Sequence, residues 1–228
     1  MNPADPNIGM LQAIANALGD LTDELVFVGG CAVGLLITEP ARPPARATTD
    51  VDVIAEVISY NEYCRLGERL KNAGFVENSD HTCRWQLGQL LVDVMPTSEV
   101  LGFTNAWYTE AIRQATPRDL PNGKRIRLVS APLFLATKIE AFHGRGEGDY
   151  ASSRDIEDIV TVVDGRTELL GEIRGNVPDV IAYLKEEVDE LLSTPRFVES
   201  ISYHLHPDSA SQARATMIIE RFRSIAGL

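Results

Sequence analysis

Two aspartates one residue apart, Asp50 and Asp52, stand at the head of the apolar run Val51-Asp52-Val53-Ile54-Ala55. In a β-strand, residues two apart leave the same face, so the two carboxylates would project together while Val51 and Val53 face a core. Paired carboxylates repel unless a cation lies between them, and a hard divalent ion with oxygen ligands is the natural partner. A third acid, Asp93, interrupts the run Leu91-Val92-Asp93-Val94. Three carboxylates on neighbouring strands would hold one or two Mg2+ ions, as two-metal phosphoryl chemistry requires. One ion activates the attacking oxygen and the other neutralises the leaving phosphate oxygens. Gly29-Gly30 follows the short apolar run Leu25-Val26-Phe27-Val28. Glycines ahead of a helix let backbone N–H groups approach phosphates closely, which suits a triphosphate. Taken singly, a D-x-D pair is more often solvated surface and a Gly-Gly is more often a turn; their order along the chain is what points to a metal site.

That order fixes what must position them. Residues 9–19 read as an amphipathic helix ending at Gly19, followed by a strand at 25–28. Residues 31–37 form an apolar run best taken as a buried helix. The loop Pro40-Ala41-Arg42-Pro43-Pro44 leads to the D-x-D strand, then to a helix over 60–72. Strands over 82–87 and 90–94 pair through Gly88-Gln89, and Arg125 to Val129 makes one more strand. From Ser130-Ala131-Pro132, a cap with proline in the first turn, the chain is helical: about 132–143, 153–164, 167–173, 178–192, 195–203 and 209–226. The expected class is α/β (α+β), a small mixed sheet with flanking helices over 1–130 and a helical bundle over 131–228.

With 21 Lys and Arg against 33 Asp and Glu, the chain of 228 residues carries a net charge of -12, which disfavours gripping nucleic acid by bulk charge. Residues 1–130 hold 11 basic and 16 acidic groups and residues 131–228 hold 10 and 17, so neither half is an acidic tail. Cys31, Cys64 and Cys83 show no CxxC and no zinc-ligand spacing with the four histidines, which suits a reducing cytoplasm. The start Met1-Asn2-Pro3-Ala4-Asp5-Pro6 lacks a positive region and no stretch approaches 18 apolar residues, so neither a signal peptide nor a membrane span is expected. No Walker A motif and no G-x-G-x-x-G occurs.

On these residues the sequence resembles the DNA polymerase β-like nucleotidyltransferases, and within them the AbiEii-type nucleotidyltransferase toxins of abortive-infection and toxin–antitoxin systems. The family's G-G-x-A and R-x-T-x-D-x-D stand here as Gly29-Gly30-Cys31-Ala32 and Arg46-Ala47-Thr48-Thr49-Asp50-Val51-Asp52. Its later motif, K-x-x-A, then Arg, then K-D-x-x-D, stands as Lys138-Ile139-Glu140-Ala141, Arg145 and Arg154-Asp155-Ile156-Glu157-Asp158. The likeness covers about residues 25–165. Three departures stand out: Cys31 where many members have Ser or Thr, a longer and more flexible link from Gly146 to Ser153, and Arg154 in place of Lys.

The resemblance implies a nucleotidyltransferase fold that moves a nucleoside monophosphate from an NTP to an acceptor, with Mg2+ or Mn2+ as cofactor. Asp50 and Asp52 would bind both metals; Asp93 would bind the catalytic one and help deprotonate the acceptor. Gly29 and Gly30 would meet the phosphates, and Lys138 would hold the β and γ phosphates. Asp158, one turn from Asp155, would orient Lys138 or bind the nucleotide. Arg46 is counted with the nucleotide-binding residues or braces its loop, and Thr48 either joins them or fixes the approach to Asp50. The acceptor would be tRNA or a protein hydroxyl, and a cognate antitoxin is an expected partner. An aminoglycoside-like small-molecule acceptor and a non-catalytic nucleotide-binding module are the alternatives.

Other residues offer less. Lys138 has a solvated helix position as its plain alternative, and Asp155 with Ser153 has an N-cap. His143 reads as a partly buried polar residue rather than a base, and His204 and His206 as surface. Trp85 and Trp107 read as core, and Lys124-Arg125-Ile126-Arg127 as a solvated edge strand.

Overall fold

The computed structural model describes residues 4–79, 81–146 and 148–228; Met1 to Pro3, Asp80 and Glu147 lie outside the described residues, and with them part of the N-terminal segment and of the link read above. The chain forms two compact units, one from residues 4–32 and 46–130, the other from residues 33–45 and 131–228. In chain order the first holds α1 (Ile8–Leu18), β1 (Val26–Val28) and the start of α2 (Gly29–Leu36). It continues with β2 (Asp50–Ala55), α3 (Tyr60–Asn72), β3 (Val76–Glu77), β4 (Arg84–Leu87), β5 (Leu90–Pro96), α4 (Tyr108–Arg113), β6 (Thr116–Asp119) and β7 (Arg125–Leu128).

These strands make one seven-stranded mixed sheet in the order β3-β4-β5-β2-β1-β7-β6. The parallel pair β2–β5 and the antiparallel pair β1–β2 form its centre, where β1 is buried on both faces and β2 alternates between a half-exposed and a buried face before burying its end. The α/β class is therefore that expected. Amphipathic α3 lays Tyr63, Leu66, Gly67 and Leu70 inward, and Ser59 caps its first turn by accepting from the Glu62 amide at 3.3 Å. Trp85, Phe27 and Phe75 fill the core of this unit. Trp107 does not: it lies half-buried just before α4. The basic strand is not an edge either. β7 lies between β1 and β6 with Ile126 buried, while Arg125 pairs with Asp119 at 2.7 Å and Arg127 donates to the carbonyls of Glu24 and Ile112.

The second unit is helical: α5 (Ala131–Arg145), α6 (Arg154–Gly165), α7 (Leu169–Arg174), α8 (Pro178–Ser193), α9 (Pro195–Ser200), α10 (Ser209–Gln212) and α11 (Ala215–Ala226). The single helix expected over 209–226 is broken between α10 and α11. Phe142, Tyr150, Phe197 and Phe222 stack in succession, with ring centroids 5.0 to 6.0 Å apart, along the core. A cut at residue 130 misassigns one segment. Residues 33–45 pack with the C-terminal helices, because the Thr38 and Glu39 amides both donate to the Gly165 carbonyl and Arg42 meets Asp164 at 2.9 Å. No helix among the described residues is long and apolar enough to cross a membrane.

Candidate functional site

Sheet register gathers the carboxylates. Asp52 lies opposite Asp93 across the parallel β2–β5 pair, and Asp93 lies opposite Arg84 across β4–β5, so the three side chains share one face in one cross-strand row. Asp50, two residues before Asp52, adds a third carboxylate to that face, while Val51 and Val53 are fully buried on the other. Asp50, Asp52 and Asp93 thus leave the same face of the sheet.

Arg84 has no counterpart in the sequence reading. Its Nε donates to Asp93 Oδ1 at 2.7 Å and its Nη2 to Asp93 Oδ2 and Asp50 Oδ2, both at 2.8 Å. A forked guanidinium on one carboxylate, shared with a second, is a strong charge-assisted arrangement. The bond to Asp93 raises the Arg84 pKa further above its already high value. Alternation along Arg84-Trp85-Gln86-Leu87, with Trp85 inward, was the available signal: it puts Arg84 on the face opposite the core. Cys83, just before it, takes a left-handed backbone with φ of 68°. Burial, with Asp93 and Asp52 adding to it, pushes the Cys83 thiol up to about 12.

Gly29 closes the other side. It is the first residue of α2, with φ of 69°, and a Cβ there would lie 1.7 Å from Asp52 Oδ2. Glycine takes that φ without strain and leaves the carboxylate its space. Gly30 is buried in the same first turn. The Cys31 thiol turns back to the Val28 carbonyl at 3.3 Å.

The segment entering β2 is tied by Asn7, another residue that went unread. Its Nδ2 donates to the Arg46 carbonyl, and its Oδ1 accepts from the Thr48 amide, both at 2.9 Å. The Thr48 hydroxyl donates to the Asp50 carbonyl at 3.1 Å, the local bond expected of it.

The helical unit holds the second set. The Lys138 ammonium meets Asp158 at 2.7 Å and Asp155 at 3.0 Å, and Arg145 clamps Asp155 through Nε at 2.9 Å and Nη2 at 2.8 Å. Lys138 is not a solvated helix residue: it is 8% exposed, Asp155 4% and Asp158 1%. Burial pushes the Asp155 carboxyl up, but the Arg145 bond and the Lys138 charge outweigh it and hold Asp155 below the usual range. Ser153 caps α6 by accepting from the Ile156 amide, so the cap and the ion cluster coexist. In the link, Asp149 accepts from the amides of Ala151 and Ser152, which makes 149–152 a bonded turn. His143 pairs with Glu187 at 2.7 Å, His204 meets the Tyr150 carbonyl at 2.7 Å and is half-buried, and His206 pairs with Asp208 on the surface.

By chemistry the sheet donors suit a hard cation: three carboxylates leave one face, and two of them already share a positive charge. As folded, the Arg84 guanidinium bridges Asp50 and Asp93, and among the described residues no three His, Cys, Asp or Glu side chains stand at metal-ligand spacing.

No family model and no curated protein sequence matches the chain. Among solved structures it is similar to a protein from H. pylori provisionally called a nucleotidyltransferase, at 12% identity over 97% of this chain and 93% of that one, with a TM-score of 0.47. It is also similar to the antibiotic-resistance factor ANT(2'')-Ia, at 16% identity over 80% of this chain and 97% of that one, with a TM-score of 0.44.

Proposed function

We propose that this chain is a metal-dependent nucleotidyltransferase that moves a nucleoside monophosphate from an NTP to an acceptor and releases pyrophosphate. The observation that supports it most is that Asp50, Asp52 and Asp93 leave one face, with one positive charge between Asp50 and Asp93 and the Cβ-less Gly29 against Asp52. Asp50, Asp52 and Asp93 would hold Mg2+ or Mn2+, which when bound would neutralise phosphate charge and activate the acceptor oxygen. Asp93 would also help deprotonate the acceptor hydroxyl. The amides of Gly29 and Gly30 would offer donors to phosphate oxygens at the start of α2. Arg46 and Thr48 would belong to the nucleotide-binding set, held by Asn7. Lys138 would bind phosphate, with Asp158 orienting its ammonium.

The finer reading is a toxin of the abortive-infection or toxin–antitoxin kind, acting in the cytoplasm on tRNA or a protein hydroxyl and restrained by a cognate antitoxin. Its support is the motif likeness over residues 29–52 and 138–158. A small cationic acceptor of the aminoglycoside kind is the second reading. It is favoured by the exposed acids Asp179, Glu186, Asp189 and Glu190 along α8 and by the net charge of -12. The test is incubation with Mg2+ and each labelled NTP against total tRNA, cell protein and an aminoglycoside panel. Label on none of them, with no nucleotide-induced thermal shift, would sink the enzymatic reading.

A further inference from the structure

Arg84 bonds two of the three carboxylates that would hold a divalent cation. Its Nη2 donates to an oxygen of Asp50 and one of Asp93, and its Nε takes the other Asp93 oxygen, so both Asp93 oxygens are already engaged. These contacts are 2.7 and 2.8 Å long, whereas Mg2+ draws oxygens to about 2.0–2.1 Å. An ion drawing oxygens of both Asp50 and Asp93 to that distance would need the space in which Nη2 now bridges them. An arginine stays charged, so it departs only by moving; its long side chain is 21% exposed and extends from a strand backbone fixed by pairing with Asp93.

We propose that Arg84 is a resident counter-cation that closes the carboxylate centre until a divalent ion displaces it. The proposal rests on the metal-centre reading above and deepens it: Arg84 is a positioning residue that sets how much free divalent ion the centre demands. The exchange is ionic and no covalent bond changes. Two charges replace one among three carboxylates, and the guanidinium goes to solvent. Without the ion, Arg84 offsets the repulsion between Asp50 and Asp93 and keeps β4 and β5 in register. With it, those same oxygens are released together, because one guanidinium nitrogen holds both acids.

The test measures Mn2+ binding directly, by the loss of the free-ion paramagnetic resonance signal, in the full-length wild type, Arg84→Gln and Arg84→Lys. Arg84→Gln should bind Mn2+ at least tenfold more tightly than the wild type and gain a larger thermal shift from it. Arg84→Lys, which keeps the charge but not the fork, should fall between them and serves if the glutamine variant folds poorly. Millimolar guanidinium ion should weaken Mn2+ binding in Arg84→Gln but leave the wild type unchanged, which a merely structural arginine would not produce. Equal or weaker Mn2+ affinity in Arg84→Gln and Arg84→Lys, with ordinary binding by the wild type, overturns the counter-cation and leaves the metal centre standing. No Mn2+ binding by any of the three, with Asp52→Ala indistinguishable from them, overturns the metal centre and the counter-cation with it.

Discussion

Lys138→Met separates a buried ion cluster from a solvated lysine by its effect on stability. The cluster is neutral in the native protein: Lys138 and Arg145 balance Asp155 and Asp158. Methionine keeps the length and the packing of the stem but removes the ammonium. Asp155 keeps its two bonds to Arg145, whereas Asp158, 1% exposed, loses the ammonium 2.7 Å away. Removing one partner of a buried pair costs about 3–5 kcal/mol, and because Arg145 still serves Asp155 the lower end, about 3 kcal/mol, is expected near neutral pH. Lys138→Met/Asp158→Asn should recover at least half of that, since no buried charge is then left without its partner. The pH dependence has a fixed sign. Asp155 is held below its usual range by Arg145 and Lys138, so its ionisation stabilises the fold above about pH 4 and that contribution is lost as the pH falls through the depressed value. The gap between wild type and Lys138→Met should therefore be widest above about pH 5 and narrow below about pH 4. The assay is urea unfolding followed by far-ultraviolet circular dichroism, because both tryptophans, Trp85 and Trp107, lie in the sheet unit and do not report on the helices. A loss under about 1 kcal/mol, or a double variant no better than the single one, would refute the buried-cluster reasoning.

Three further outcomes are expected. Gly29→Ala should cost about 1–2 kcal/mol from the left-handed backbone alone, and more because its Cβ would drive Asp52 out of the row; thermal unfolding checks it, and an unchanged Tm would contradict the reading of that turn. At about pH 8, iodoacetamide should label exposed Cys64 at least about tenfold faster than Cys83, whose thiol is pushed up to about 12 by burial and the nearby aspartates. The Cys83 rate should keep climbing above about pH 10, as mass spectrometry of its peptide would show. Asn7→Ala should loosen the 46–48 segment that feeds β2, read as faster amide exchange at Thr48 with little change elsewhere.

Much of this was legible because it rests on local pattern. The alternation Asp50-Val51-Asp52-Val53 fixed a face, and Gly88-Gln89 between two strand-like runs announced the β4–β5 hairpin that carries Asp93. Helix α3 runs over the expected 60–72, with its inward residues at helical spacing. What escaped was set by register and by distance along the chain. Arg84 matters only because it lies opposite Asp93, Asn7 only because it reaches residues about forty positions on, and residues 33–45 join the helices through the Gly165 carbonyl. The edge strands β3 and β6 are short, half-polar and include Pro117, so they carry no apolar alternation to read. The basic strand was misread as an edge for the same reason: β6, which covers it, was invisible.

The most direct test of the carboxylate centre follows label from an α-labelled NTP, in the presence of Mg2+, into macromolecular or small-molecule acceptors, with pyrophosphate measured in the same reaction, for wild type and Asp52→Ala. The wild type should transfer label and release one pyrophosphate for each nucleotide transferred. Asp52→Ala should do neither while unfolding at the same temperature or higher, since it removes one of three like charges gathered on a single face. Transfer that survives in folded Asp52→Ala would contradict the assignment of this centre.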